Sequence, residues 1–156
     1  MSLPRSARRV QEALRAAGLD ADVRELPDST RTAPEAAAAV GTQVGAIVKS
    51  LVFVGRDSGR GVLVLVSGAN RADEARIGAL AGEPIDRADA EAVRALTGFS
   101  IGGVPPLGHA TDMRVFVDPD LAARDVVWAA GGTPRTVFPQ AGAELVRVTG
   151  GTVYEA

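Results

Sequence analysis

Lys49 is the residue whose type and position most clearly suit chemistry, because it is the only lysine in the chain and it interrupts an apolar segment. Alternation along a strand places it on one face with Ile47, Leu51 and Phe53. An ammonium group among large apolar side chains can hold an anion or tune a proton, since burial readily shifts the pKa of lysine. It could equally lie on an outward face, or extend its stem past its neighbours into water.

A loop rich in glycine and proline, ending at His109, is the second candidate. Gly102 and Gly103 let a ligand or another backbone approach closely, and Pro105 and Pro106 hold the following turn rigid. Backbone N–H groups in such a loop can bind an oxyanion or a carbonyl, although a purely structural tight loop is an equally good interpretation. His109 is the only histidine, and without a matching serine and acid it is weak evidence for a catalytic triad.

Two smaller segments add candidate binding residues. Gly131 and Gly132 follow Ala130 in a turn directly after a predicted strand, and Thr32 precedes an alanine-rich helix, where it also fits a helix cap. The chain has no cysteine, no phosphate-binding glycine loop, no nucleophile elbow and no histidine or acid cluster with metal-ligand spacing. We therefore expect no cofactor and no metal.

Length and charge limit the class of protein. A chain of 156 residues has the size of one ordinary domain, here 1–156. A net charge of −2 excludes a broadly basic RNA-binding surface, so any RNA contact is local, with the arginines of the first helix as a candidate. The N-terminus lacks the apolar stretch of a secretory signal and the longest apolar run, 62–66, is too short for a membrane span, so we expect a cytoplasmic protein.

The elements that must position these residues mix helices and strands without strict β-α-β alternation. This order predicts an α+β fold, in which a mixed sheet curls or closes partly into a barrel surrounded by helices. The two longest strands form a hairpin. Helices are predicted at about 3–17, 32–41, 71–81, 89–96 and 141–146, and strands or extended segments at 22–26, 46–55, 62–67, 84–85, 113–118, 125–130 and 136–138.

Taken in order, these segments resemble the YbaK/EbsC family, the free-standing relatives of the editing domain inserted in bacterial prolyl-tRNA synthetases. The resemblance runs from about Asp22 to Val148, and its most specific mark is the spacing between the lysine strand and the Gly-Gly loop. The segments that carry it are 32–41, 47–52, 66–71, 96–108, 115–118 and 131–132.

The resemblance implies a trans-editing aminoacyl-tRNA deacylase, which hydrolyses the ester of Cys-tRNA(Pro), Ala-tRNA(Pro) or a similar mischarged tRNA. Lys49 matches the family's functional lysine, and Gly102 and Pro106 match the ends of its G-x-x-x-P loop. The implied partners are aminoacyl-tRNA and prolyl-tRNA synthetase. The substrate-binding residues implied are Thr32, Ser50, Gly102, Gly103, Val104, Pro106, Ala130, Gly131 and Gly132.

Two departures concern the substrate. Cysteine-directed relatives look to have a serine at the position of Ala130 and an aspartate at the position of Val137. The replacement of a hydroxyl and a carboxylate by these two apolar side chains favours a small or apolar aminoacyl group in the substrate. Two other functions remain open: a module that binds aminoacyl-tRNA or a synthetase without hydrolysis, and an enzyme that uses Lys49 as a Schiff-base nucleophile.

Overall fold

The computed structural model describes residues 3–29 and 32–155. Thr30 and Arg31, which precede the predicted cap of the second helix, lie outside the described residues. In the described part of the chain the α-helices are α1 (Arg5–Ala16), α2 (Ala33–Val40), α3 (Glu74–Ala81), α4 (Ala90–Thr97), α5 (Pro119–Ala122) and α6 (Gly142–Thr149). The strands are β1 (Arg24–Glu25), β2 (Val48–Gly55), β3 (Gly61–Ser67), β4 (Ile85–Arg87), β5 (Arg114–Val117), β6 (Val127–Ala130), β7 (Thr136–Gln140) and β8 (Thr152–Val153).

The strands form two sheets that meet near the start of β2. The five-stranded sheet has the order β4-β2-β3-β5-β8, and the three-stranded sheet the order β1-β7-β6. β2 and β3 form the predicted antiparallel hairpin, with Lys49 opposite Val66, whereas β3 pairs with β5 in parallel. A parallel bridge between Ile47 and Trp128 joins β6 to the residue just before β2. The predicted α+β class with a curled mixed sheet is confirmed.

The core lies on both faces of β3, whose residues are all buried. Leu63 and Leu65 face a large apolar cluster that includes side chains of α1, α4 and α6. Val62, Val64 and Val66 face a smaller cluster beneath α3 and β4. The continuous apolar run in β3 is therefore explained by a strand that is covered on both faces.

Local capping explains where the site-bearing helix begins and ends. Thr32 Oγ1 accepts a hydrogen bond from Glu35 N at 3.2 Å and donates to the Glu35 carboxylate at 2.9 Å, which is the predicted cap. Gly41 ends α2 in the left-handed conformation, φ +73°, which glycine adopts without steric penalty. The caps set the ends of α2, and Ala36 and Ala37 pack with Ile47, the residue just before β2.

Several elements differ from the prediction. A short 3-10 turn, Val44–Ala46, precedes β2, and the third helix begins only at Glu74, because the Asp73 side chain caps it there. The short α5 was not predicted, although Asp118 followed by Pro119 is a helix-start signal. The last helix extends to Thr149, three residues beyond its predicted end, and is followed by β8.

The arginines of α1 are partly used inside the molecule. The Arg9 guanidinium lies over the Phe99 ring, 4.7 Å from its centroid, and Arg15 pairs with Asp22. Arg5 and Arg8 are exposed. Fewer arginines of α1 are thus available for the predicted RNA contact than the sequence suggests. Across residues 3–29 and 32–155, every helix is too short or too polar to span a bilayer.

Candidate active site

A cleft of about 570 Å³ opens where the two sheets meet, between the start of α2, the first half of β2, the loop after α4 and the end of β6. Its walls are mostly apolar, and the polar groups are few. The lining residues are Thr32, Ala33, Pro34, Ala36, Val40, Ile47, Val48, Lys49, Ser50, Leu51, Gly68, Ile101, Gly102, Val104, Trp128, Ala129, Ala130 and Val137. Such a volume and such walls are typical of small-molecule sites.

Among the residues that the structure describes, Lys49 is the one basic side chain that lines the cleft. Its Nζ donates a hydrogen bond to the backbone carbonyl of Asn70, which fixes the position of the ammonium group. Desolvation and the nearby Arg71 lower the pKa of Lys49, and Asp118 opposes this shift. The ammonium is therefore positioned and partly dehydrated, two conditions that strengthen its attraction for an anionic group.

A buried carboxylate lies behind the lysine. Asp118 is 2% exposed and accepts hydrogen bonds from Ser67 N at 3.0 Å and from the Asn70 side-chain amide at 2.9 Å. The same Asn70 amide donates to Asp120 at 2.8 Å. Asn70 thus connects Asp118 to Lys49, since its carbonyl accepts the bond from Nζ. No local sequence pattern marks this network, because its members are far apart in the chain.

The edge of β2 is open at Ser50. Trp128 bridges to Ile47 at one end of this edge, and at the other Ala88 N donates to Val52 O at 3.1 Å. Backbone groups of alternate residues in a strand point to the same side, so the N–H and C=O of Ser50 point to the edge between these two contacts. The Ser50 hydroxyl is buried and has no hydrogen-bond partner in the part of the chain that the structure describes. Ser50 therefore offers unpaired donors and acceptors to a ligand.

The Gly-Gly loop contributes one glycine to the cleft and one to the support behind it. Gly102 lines the cleft with φ +91°. A Cβ at Gly103 would lie 2.7 Å from the Cα of Thr133, and Gly103 N donates to Ser100 O at 3.0 Å. The Gly103 N–H is thus paired within the loop, and Gly103 packs against Thr133. The N–H groups of Gly102 and Val104 have no acceptor among the described residues.

His109 and the prolines hold this loop from behind. The His109 Nε2 lies 2.7 Å from Pro105 O, and burial lowers the pKa of the imidazole. Pro106 is buried. Neither His109 nor Pro106 lines the cleft. His109 and Pro106 therefore support the loop that contains residues 101–104 and do not contact the space of the cleft.

The second glycine turn is also placed behind the cleft. Gly131 N donates to Thr136 O at 2.7 Å, and Gly132 lies against α1, where a Cβ would be 2.7 Å from Ser6 O. Neither glycine lines the cleft, whereas Ala130 does. The structure therefore brings together Lys49, Ser50, Thr32, Gly102, Val104 and Ala130 around one space, and places Gly103, Pro106, Gly131 and Gly132 outside it.

Trp128 and Ile101 are the large lining side chains that sequence reasoning missed. Trp128 is the only tryptophan of the chain, and Ile101 is 60% exposed at the mouth of the cleft. A single tryptophan next to a glycine turn was a signal that could have marked the site. Among the described residues, no group of three or more histidines or acids is placed to hold a metal.

Residues 27–148 match the model of the aminoacyl-tRNA editing domain family. The chain belongs to this family. A solved structure of a protein provisionally described as a trans-editing enzyme for prolyl tRNA synthetase is 54% identical to this editing domain, with a TM-score of 0.93 and coverage of 99% of this chain and 98% of that chain. The resemblance to editing domains inferred from the sequence is thereby confirmed.

Two curated relatives are more distant. The proline–tRNA ligase of Bacillus licheniformis is 32% identical over 127 residues, which are 78% of this editing domain and 22% of the ligase. The chain therefore spans about a fifth of the length of that relative. The uncharacterized protein YwhH of Bacillus subtilis is 30% identical over 124 residues, 80% of this chain and 78% of YwhH. The family places this chain among editing domains for aminoacyl-tRNA.

Proposed function

We propose that this editing domain is a free-standing deacylase, of the YbaK kind, that hydrolyses the ester of a mischarged tRNA carrying a small aminoacyl group, such as Ala-tRNA(Pro) or Cys-tRNA(Pro). The observation that carries the proposal is the cleft itself. Lys49, Ser50 with its open strand edge, and Gly102, whose N–H has no acceptor among the described residues, all line it among apolar side chains. This arrangement suits a ligand with an anionic end and an ester.

The chemistry needs few side chains, because an aminoacyl ester is already activated. Water attacks the ester carbonyl, the bond between that carbon and the ribose oxygen breaks, and the released ribose oxygen takes up a proton. Positioned N–H donors stabilise the negative charge that develops on the carbonyl oxygen. The N–H groups of Gly102 and Val104 are the available donors, and the Ser50 hydroxyl and backbone are placed to orient the amino acid or the water.

Lys49 acts as an electrostatic anchor in this proposal. Its hydrogen bond to Asn70 O leaves further N–H donors on the ammonium for a phosphate of the terminal nucleotide or for the ester oxygen. A Schiff base forms only from the neutral amine, since an ammonium has no lone pair with which to attack a carbonyl, and ester hydrolysis does not need one. We therefore assign Lys49 to substrate binding and charge stabilisation.

The walls favour a small, apolar aminoacyl side chain. Ala130 and Val137 line the cleft without any polar group. A second pocket of about 90 Å³ adjoins the cleft beyond Ser50 and Val104, enough for a side chain of very few atoms. A larger or charged side chain would clash or leave its polar atoms unpaired.

The tRNA and the partner follow from the relatives. Two similar proteins are linked by description to prolyl-tRNA charging, one as a ligase and one as a trans-editing enzyme. We assign tRNA(Pro) as the substrate tRNA, prolyl-tRNA synthetase as a partner that supplies RNA affinity, and the cytoplasm as the compartment. The net charge of −2 is consistent with an external source of RNA affinity.

A deacylation assay across a panel of mischarged tRNAs tests this proposal. We expect turnover of Ala-tRNA(Pro) or Cys-tRNA(Pro) by the wild-type protein, and a loss of roughly 100-fold or more in kcat/KM for Lys49→Ala. Arg60→Ala is the matched control, because it removes a cation from the exposed turn at the far end of the same hairpin.

The possible outcomes separate the alternatives. Turnover of no tRNA in the panel would refute the deacylase. Saturable binding without turnover would favour the binding module. Full activity of Lys49→Ala would refute the role assigned to the lysine.

A further inference from the structure

Trp128 and Arg24 form a stacked pair at the cleft. Trp128 lines the cleft from β6, and its indole is partly exposed. The Arg24 guanidinium lies over the indole ring, 5.1 Å from the centroid. The pair thus presents a flat, cationic surface next to the space that contains Lys49 and Ser50.

The register of the small sheet places Arg24 on the cleft side. Arg24 is opposite Val137, and Val137 is opposite Ala130. Residues directly opposite each other share a face of the sheet, and so do residues two apart in one strand, so Arg24, Val137, Ala130 and Trp128 share a face. Val137 and Ala130 line the cleft, and Arg24 lies next to Val137 on the same face of the sheet.

Arg24 forms no ion pair with a carboxylate of the described residues. Arg15, Arg56 and Arg114 each pair with an acid, at 2.5, 2.9 and 2.9 Å. Within the described part of the chain Arg24 forms no such pair and contacts the indole instead. An unneutralised guanidinium held flat over an indole suits a ligand that is both planar and attached to an anion.

We infer that the Arg24–Trp128 pair is the stacking site for the nucleobase of the nucleotide that carries the aminoacyl ester. The inference rests on the proposed function. That nucleotide bears the ester on its ribose, so its base lies only a few bonds from the reacting carbon and must enter the same cleft. Aromatic rings and guanidinium planes are the surfaces on which unpaired RNA bases stack.

The single tryptophan makes a direct test possible. Tryptophan emission of the wild-type protein comes from Trp128 alone, so a base that stacks on the pair changes this emission. We expect adenosine 5′-monophosphate and the trinucleotide CCA to change the emission saturably, and ribose 5-phosphate, which has no base, to leave it unchanged. A saturable change with ribose 5-phosphate equal to that with the nucleotides would overturn the inference, as would an unchanged emission at concentrations where the nucleotides inhibit deacylation.

Kinetics of Trp128→Leu and Trp128→Phe measure how much stacking on Trp128 contributes to substrate binding. Leucine keeps apolar volume without a stacking face, whereas phenylalanine keeps the face. We expect Trp128→Leu to raise KM for mischarged tRNA roughly 5- to 100-fold with little change in kcat, since stacking is lost from substrate and transition state alike, and Trp128→Phe to restore most of the affinity. Arg24→Ala is expected to raise KM in the same direction.

A substrate without a base separates stacking from folding. An alanyl ester of ribose 5-phosphate should be hydrolysed equally by wild-type protein and by Trp128→Leu. Equal losses on this ester and on the tRNA would overturn the inference, because they would show that the tryptophan only supports the cleft wall. A nucleotide-dependent change in emission without deacylation of any tRNA would uphold the stacking site and refute the proposed activity.

Discussion

Gly103→Ala tests whether packing between two loops sets the geometry of the cleft. A Cβ at this position would lie 2.7 Å from Thr133 Cα and 2.9 Å from its C and N atoms. These are backbone atoms, so no rotamer change relieves the overlap, and the 101–104 loop must move away from Thr133 by roughly 0.5 to 1 Å to restore ordinary contact distances. Overpacking of this kind destabilises by about 1 to 3 kcal/mol.

The catalytic effect should exceed the effect on stability. Gly102 and Val104 flank the substituted residue and carry the N–H groups proposed to hold the substrate. A displacement of about 1 Å in a positioning group can lower the rate roughly 100-fold. We therefore expect Gly103→Ala to fold, to unfold at lower urea concentration, and to lose at least roughly tenfold in kcat/KM on the best mischarged tRNA.

Urea denaturation and deacylation kinetics on the same preparations measure the two effects. Gly59→Ala serves as the control for a glycine replaced far from the cleft, in the hairpin turn, because its Cβ would meet nothing within 4 Å. Gly59 has a positive φ, +73°, which Gly103 lacks, so this control measures backbone strain without a steric overlap. Unchanged stability of Gly103→Ala would refute the described packing of the two loops. Reduced stability with full kcat/KM would refute the claim that this packing positions the donors.

Two further predictions concern buried or paired carboxylates. Asp118→Asn removes the charge that raises the pKa of Lys49, so this pKa should fall further. The alkaline limb of the pH profile of kcat/KM should then move to lower pH. An unmoved limb would contradict the coupling between Asp118 and Lys49. Hydrogen bonds from Ser58 and from Arg114 lower the pKa of Glu83 from 4.5 to about 2. A carboxyl whose pKa is lowered in the folded state stabilises the fold at pH values above its ordinary pKa. The contribution of Glu83 should therefore be lost as the pH falls from about 4.5 to 2. In that range Glu83→Gln should make the urea midpoint of unfolding depend less on pH.

Much of the fold could be predicted because its signals are local. The cap at Thr32, the left-handed glycines that end α2 and α4, and the hairpin around residues 56–60 each depend on a few neighbouring residues. The elements that were missed depend on distant partners. β8 exists because Thr152 and Val153 pair with β5, and two residues carry no periodic pattern of their own.

The same difference applies to the site. Lys49 could be recognised because its charge conflicts with its apolar neighbours, and Gly102 because the glycine pair is unusual. The role of Gly103 could not, since it is set by the approach of Thr133, thirty residues later in the chain. Trp128 was missed for the same physical reason, because only the bridge to Ile47 brings β6 to the start of β2.

The placement of Lys49 agrees with the ester hydrolysis proposed for this nearly apolar cleft. A dehydrated ammonium attracts an anion more strongly than a solvated one, but it also favours its own neutral form. The charge of Asp118 opposes that loss from outside the cleft, whereas a carboxylate inside the cleft would repel the phosphate of the proposed substrate. The anion therefore meets a cation whose counter-charge is 2% exposed and one residue away. In the proposed function this separation combines attraction for the substrate with a charged lysine, and it accounts for a carboxylate that is buried at the end of β5 and not among the lining residues.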